Sequence, residues 1–251
     1  MATPLLRPLT VGEVLDVSFG LYRSLFAPLV VIAAVSQVIP VLLSVYMEAA
    51  GGPAEHLGLA LGTYCLAIAL GAFGVAASTF VVSDTYLGRE TSAADALARA
   101  GALIGRLAAI SILVTLLIGL GFILLVIPGI ILLAGLVLST VVAVIEGPPS
   151  ATAAMGRSWE LSKGYRGKVL LTLIVSSLLF MVPFIAVGGV AALLAIFLGG
   201  ASTVLIVVLQ SILQICVYPF VYVVMTVLYY DIRVRKEGFD LELLASALPA
   251  A

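Results

Sequence analysis

Few side chains on this chain could do chemistry. Three amides, Gln37, Gln210 and Gln214, fall inside long uncharged apolar runs. Gln210 and Gln214 are four apart, so on a helix they share one face, with Ser211 beside them. An amide in an apolar environment has to find a hydrogen-bond partner. A neighbouring helix can supply it, and so can a polar ligand held between helices. Pro40 and Pro219 lie in the same runs. Each frees a backbone carbonyl one turn away, for a ligand or only for a kink. These three amides are the candidate polar site.

Other chemistry is sparse. The single histidine, His56, sits next to Glu55. One His and one Glu are too few for a zinc site, and a serine hydrolase would need its histidine near the nucleophile. Neither H-E-x-x-H nor G-x-x-x-x-G-K-[ST] occurs. Cys65 and Cys216 each lie within an apolar run and read as small buried hydrophobes, not a disulfide framework or a metal cluster. No catalytic residue, metal ligand or cofactor site is expected. The carboxylates that deserve a screen are Asp84, Glu146 and Asp231, which stand at the ends of apolar runs.

The elements that must position these residues follow from composition. The chain of 251 residues is 63% hydrophobic and 10% charged, with a mean hydropathy of +1.29. Soluble domains are about half apolar and about a quarter charged. Lipid is therefore the solvent for most of this surface, and the length suits a single integral membrane domain, residues 1–251. A net charge of -1 argues against nucleic acid. A membrane span needs about 20 apolar residues. Spans are expected at about 26–47, 57–82, 107–127, 130–145, 169–187 and 203–230. The 39 uncharged positions of 107–145 are too long for one helix, and Pro128-Gly129 marks the expected turn. The 62 uncharged positions of 169–230 could hold three spans, but an even number keeps all twelve Lys and Arg on one side. That side is the cytoplasm, with both termini, because loops rich in Lys and Arg are retained there. Residues 188–202 then form an apolar outer connection, packed on the bundle or lying at the interface. The first apolar run begins about 25 residues in and reads as a retained span, not a cleaved signal.

Three segments preceding the odd spans read as amphipathic interfacial helices, at about 10–24, 92–105 and 151–163. The first opens on Thr10-Val11-Gly12-Glu13, a capping box, and the second on Ser92-Ala93-Ala94-Asp95. The third follows Pro148-Pro149-Ser150 and places Met155 and Trp159 one turn apart. The fold class is thus an all-α polytopic bundle of six transmembrane helices with interfacial helices, readable as three similar units. Thr79 precedes Asp84 by five, Thr140 precedes Glu146 by six and Thr226 precedes Asp231 by five, so the units end alike. The run Gly58 to Gly62, then Gly71 and Gly74, gives span two a stripe of small residues for close packing, within the chain or in a homodimer.

Four stretches carry a resemblance. They are Gly12-Glu13-Val14-Leu15-Asp16 with Leu21-Tyr22-Arg23; Val126-Ile127-Pro128-Gly129-Ile130; Arg157-Ser158-Trp159-Glu160-Leu161; and the closing Tyr229-Tyr230-Asp231-Ile232-Arg233-Val234-Arg235-Lys236-Glu237-Gly238-Phe239-Asp240. Over nearly the whole chain these resemble the glycerophosphoryl diester phosphodiesterase membrane-domain family. The resemblance implies a stand-alone membrane domain of a prokaryotic cytoplasmic (inner) membrane, without the catalytic half that gives the family its name. It implies no site residues.

The expected function is a non-enzymatic membrane module that assists or organises a lipid-related enzyme or a transporter. Its expected partners are anionic lipid headgroups at the cytoplasmic face, with a homo-oligomer or a membrane protein partner possible. The alternative is an oligomeric transporter of a small solute, lipid or peptide, built on the amides and the mid-span prolines. Under that alternative, Gln210→Leu with Gln214→Leu abolishes flux into proteoliposomes while expression stays normal; normal flux removes the site.

Overall fold

The computed structural model describes residues 7–198 and 201–239. They form ten helices in the order α1 (Val11–Ser24), α2 (Phe26–Ala49), α3 (Leu57–Tyr86), α4 (Ala93–Gly101), α5 (Ile104–Leu124), α6 (Val126–Leu136), α7 (Ser139–Ile145), α8 (Ala151–Ser162), α9 (Arg166–Leu198) and α10 (Ala201–Glu237). No strand occurs among the described residues. Six stretches are long and apolar enough to cross a membrane: Phe26–Ala49, Leu57–Tyr86, Ile104–Leu124, Val126–Ile145, Arg166–Val190 and Thr203–Glu237. The chain is an all-α polytopic membrane bundle, as its composition requires. In lipid each backbone group must be paired within its own segment, and helices do that.

The three short helices start where the sequence places their caps. Thr10 accepts from the backbone of Glu13, and Glu13 answers to the backbone of Thr10 at 2.7 Å, completing the capping box. The Glu13 carboxyl is held down to about 2, first by its hydrogen bond from Arg7 and then by the Thr10 backbone. Ser92 caps α4 through Asp95, and Ser150 caps α8 through Ala153. In each helix one face is buried: Val14 and Ser18 in α1, Ala96 and Ala100 in α4, Ala154, Met155 and Ser158 among others in α8.

Packing follows a cyclic rule. α3, α7 and α10 touch one another and form the centre. Around them α2 packs on α3 and α10, α5 on α3 and α6, and α9 on α10 and α6. Each odd span therefore bridges its own hairpin partner and the inner helix of the preceding unit. The capped helices obey the same rule one unit back. α4 lies on α2 and α3, α8 on α5, α6 and α7, and α1 on α9 and α10. So the first unit closes on the third. Burial agrees for two of the three: the apolar windows of the second and fourth spans are 44% and 50% buried, whereas that of the sixth is 17% buried, like those of the odd spans at 28%, 17% and 18%; α10 is buried at its charged half, from Phe220 to Val234. The core lies at the charged end of the bundle, where Tyr229, Tyr230, Leu29, Leu138 and Val223 are buried.

Three boundaries differ from expectation. The interfacial helix expected at about 92–105 ends at Gly101, and α5 takes over from Ile104. The turn between spans three and four falls at Leu125, which is extended (φ -162°, ψ 148°), and α6 already runs through Pro128-Gly129. Pro128 is tolerated because a helix's first turn leaves its N–H groups unpaired in any case. Gly129 instead provides close approach. A Cβ on Gly121 would lie 3.0 Å from the Gly129 Cα, and one on Gly129 would strike the Phe122 ring. The expected connection at 188–202 is also not a separate element. α9 continues through Pro183 to Leu198, and α10 starts at Ala201. An apolar segment without a polar stop pairs its backbone best by remaining helical. Gly199 and Gly200, within that expected connection, lie outside the described residues, as does Asp240.

Gly121→Val therefore wedges apart the α5–α6 hairpin at its narrowest point and is expected to cost about 1–3 kcal/mol. A thermal unfolding midpoint in detergent equal to that of the unaltered protein would contradict the contact.

Candidate functional site

The charged end is built on three carboxylates, one where each inner helix leaves its apolar stretch. Asp84 of α3 pairs with Arg99 of α4 at 2.6 Å and accepts from Thr91, the residue before the α4 cap. The Arg99 guanidinium also lies over the Phe80 ring, 3.9 Å from its centroid. Glu146, at the end of α7, pairs with Arg157 of α8 at 2.7 Å and accepts from the Tyr229 hydroxyl at 2.9 Å. Arg157 reaches Glu237 at 2.6 Å as well. Its hydrogen bond to Glu146 is the main reason its guanidinium is held above the ordinary arginine range. Asp231 of α10 has a fully buried side chain. It accepts from the Leu9 backbone N–H at 2.7 Å, from Arg235 at 3.1 Å and from Lys168. The carbonyl of Leu9 accepts in turn from Lys168 and Arg235.

The pattern is one of latches. Asp84 holds the approach to α4, Glu146 holds α8, and Asp231 holds the approach to α1. The carboxylates that the sequence marks as worth screening each hold the helix that opens the next unit. Below them the inner helices share a polar seam. Thr226 donates to Thr79 at 3.4 Å, and Ser83 and Tyr230 share a hydrogen bond of 2.6 Å. Both pairs are 147 residues apart, so α3 and α10 run parallel in one register. Thr140, the third threonine of the series, is half-buried and lines a cavity instead.

The three amides lie on two helices that pack on each other, Gln37 on α2 and Gln210 and Gln214 on α10. Gln37 lies against α3, its Nε2 3.8 Å from a Cβ placed on Gly71. In the α3–α10 register Gly71 is level with Tyr218, so Gln214 and Gln210 sit about one and two turns farther out. Among the described residues no hydrogen bond joins any of the three amides to another. None of them lines the three principal cavities. The largest, about 500 Å³, opens between α9 and α10 and is apolar, with Val187, Leu213 and Cys216 on its wall. A second, about 300 Å³, lies between α3, α5 and the α6–α7 span and carries Ser111, Thr115 and Thr140. Ser111 and Thr115, four apart in span three, were the available signal for it. The third, about 260 Å³, runs between α6 and α9. His56 is a half-buried residue whose Nε2 meets the Ala50 carbonyl at 3.1 Å, far in sequence from any latch. Among the described residues no group of three His, Cys, Asp or Glu could hold a metal.

The stripe of small residues in α3 divides. Gly74 lies hard against Ser36 of α2, so the inner half serves packing within the chain, whereas Gly58 and Gly62 are exposed with open space before them.

No family model, curated protein or solved structure matches this chain.

The latches differ in depth, and so should their removal. Asp231→Asn leaves Lys168 and the Leu9 N–H in a buried place without their anion, and is expected to destabilise by about 3–5 kcal/mol. Asp84→Asn acts on a pair whose Arg99 is 45% exposed, and is expected to cost no more than about 1 kcal/mol. Unfolding midpoints of the two purified variants check this; equal losses would contradict the ranking.

Proposed function

We propose that the chain is a non-enzymatic module of a prokaryotic cytoplasmic membrane, accessory to a lipid-related enzyme or a transporter, with its charged end and both termini in the cytoplasm. One observation carries the reading. The three carboxylates best placed for chemistry are consumed in latches, each holding a helix through an arginine, a lysine or a backbone N–H. A general acid or base has to exchange its proton during turnover, whereas Asp231 has a side chain 0% exposed and surrounded by donors. The orientation rests on the positive-inside bias. The resemblance to the glycerophosphoryl diester phosphodiesterase membrane domains agrees with a module that works beside a catalyst.

What the charged end offers a partner is a rim of basic groups outside the latches. Arg23, Arg89 and Lys163 are exposed. Arg106 at the start of α5 donates to the Pro148 carbonyl at 2.8 Å, with no carboxylate on it among the described residues. Such groups suit anionic headgroups, each contributing about 1 kcal/mol near a charged leaflet.

The test is in two parts. Purified protein in proteoliposomes of native lipid, given glycerophosphodiesters and phospholipids, is expected to form no product by mass spectrometry. Native mass spectrometry of the protein released directly from its own membrane is expected to find a second protein at fixed stoichiometry. Turnover by the purified chain overturns the reading.

A further inference from the structure

We infer that the chain binds one anionic phospholipid in a defined place, with its phosphate on Arg166 and an acyl chain in the groove between α6 and α9. This deepens the membrane-module reading and rests on it.

The head of the site is Arg166, the first residue of α9. Its guanidinium lies flat over Trp159, 3.8 Å from the ring centroid. Its Nε is buried without a hydrogen-bond partner, and no ion pair reaches it among the described residues. A guanidinium has five N–H donors in a rigid fork. Held half-buried without an anion, it is costly, and a phosphate oxygen pair matches its fork. The neighbouring bases are already committed: Lys168 to Asp231 and Arg157 to Glu146 and Glu237. Arg166, half-buried, has no such partner among the described residues. The ring beneath it is fixed. Ser158 donates to the Gly135 carbonyl at 2.8 Å, and the Trp159 indole fills the space where Gly135 has no Cβ. Gly167 is exposed with open space at its Cβ position, and Lys163 is exposed.

The tail continues from the head. Leu170, Leu173, Ile174 and Met181 of α9, with Leu133 of α6, wall an elongated apolar cavity of about 260 Å³. Positions 166, 170, 173, 177 and 181 recur at helical spacing, so groove and guanidinium occupy one face of α9. From Leu170 to Met181 the helix rises about 16 Å. That is about one leaflet, half of a hydrocarbon core about 30 Å thick. An acyl chain fits such a groove by length and polarity. A soluble phosphate has nothing to place there. A zwitterionic lipid carries its own cation, which Arg166 repels.

The experiment is native mass spectrometry of the full chain in detergent, with phosphatidylglycerol, phosphatidylcholine and glycerol phosphate added separately. One phosphatidylglycerol per chain is expected, retained in preference to phosphatidylcholine, with no retention of glycerol phosphate. Arg166→Gln is expected to weaken retention roughly fivefold or more, the loss of one cation at an anionic site. Ile174→Trp, which fills the groove and spares the charge, is expected to weaken it too, and Arg166→Lys to restore part of it. Unfolding midpoints show which variants are folded; should Arg166→Gln not fold, Ile174→Trp still decides. Equal retention of both lipids, or retention unchanged in the folded variants, overturns the inference. Catalytic turnover would overturn the non-enzymatic reading instead, and it is seen in a different assay that leaves the lipid count as it is.

Discussion

A carboxylate at the edge of an apolar interior cannot be left alone, and this constraint organises the molecule. Asp84, Glu146 and Asp231 stand where the three inner helices leave their apolar stretches. Each needs donors, because an unpaired charge in such a place costs several kcal/mol. None draws all its donors from its own helix. The decisive ones come from the segment that opens the next unit: Arg99 and Thr91 for Asp84, Arg157 for Glu146, and the Leu9 N–H for Asp231. A local electrostatic need thus fixes the position of a neighbour. Because the third carboxylate reaches back to the first unit, three local pairings make a closed ring.

Between the latches the bundle is held by close approach. Water gives no hydrophobic drive between helices in lipid, so contact area and hydrogen bonds have to serve. The glycines sit where contact is closest: Gly74 against Ser36, Gly121 against Gly129, Gly135 under Trp159. Near the charged end tyrosines take over, bringing large rings with a polar tip. Tyr230 stacks on Tyr86 with centroids 5.3 Å apart, and its hydroxyl meets Ser83. Tyr229 sends its hydroxyl to Glu146 and so ties the third unit to the latch of the second.

Much of this was legible in the sequence. Charge-free runs mark six spans because lipid tolerates few charges, and the hydroxyl caps at Thr10 and Ser92 mark two of the short helices because a helix start needs acceptors; the third cap, Ser150, came from the structure. The units also end alike in sequence, a threonine and then a carboxylate, and each of those carboxylates holds the segment that opens the next unit. Pairing was not legible. Nothing in Asp231 names Leu9, 222 positions away. The proline-glycine step misled, since Pro128 is harmless in the first turn of α6 and the chain turns at Leu125. Gly188 and Gly189 misled likewise: α9 runs straight through them, because glycine breaks a helix in water far more readily than in lipid, where an unpaired backbone has no alternative partner.

The ring is not closed equally all round, and the reason lies in side-chain size. α2 comes close to α3 because Gly74 accepts Ser36, and α5 comes close to α6 because Gly121 meets Gly129. Where α9 faces α6, the sequence places Leu170, Leu173, Ile174 and Leu133. α9 meets α6 only sparingly, and an apolar gap of about 260 Å³ remains between them. A gap between apolar walls in a membrane does not stay empty, since surfaces separated by a void lose their dispersion contacts. The same unit carries the guanidinium of Arg166 on an indole at the mouth of that gap. Of the three apolar gaps in the ring, the one between α6 and α9 is the one that runs up one face of α9 toward a guanidinium without an ion pair among the described residues, so packing and charge meet at that seam.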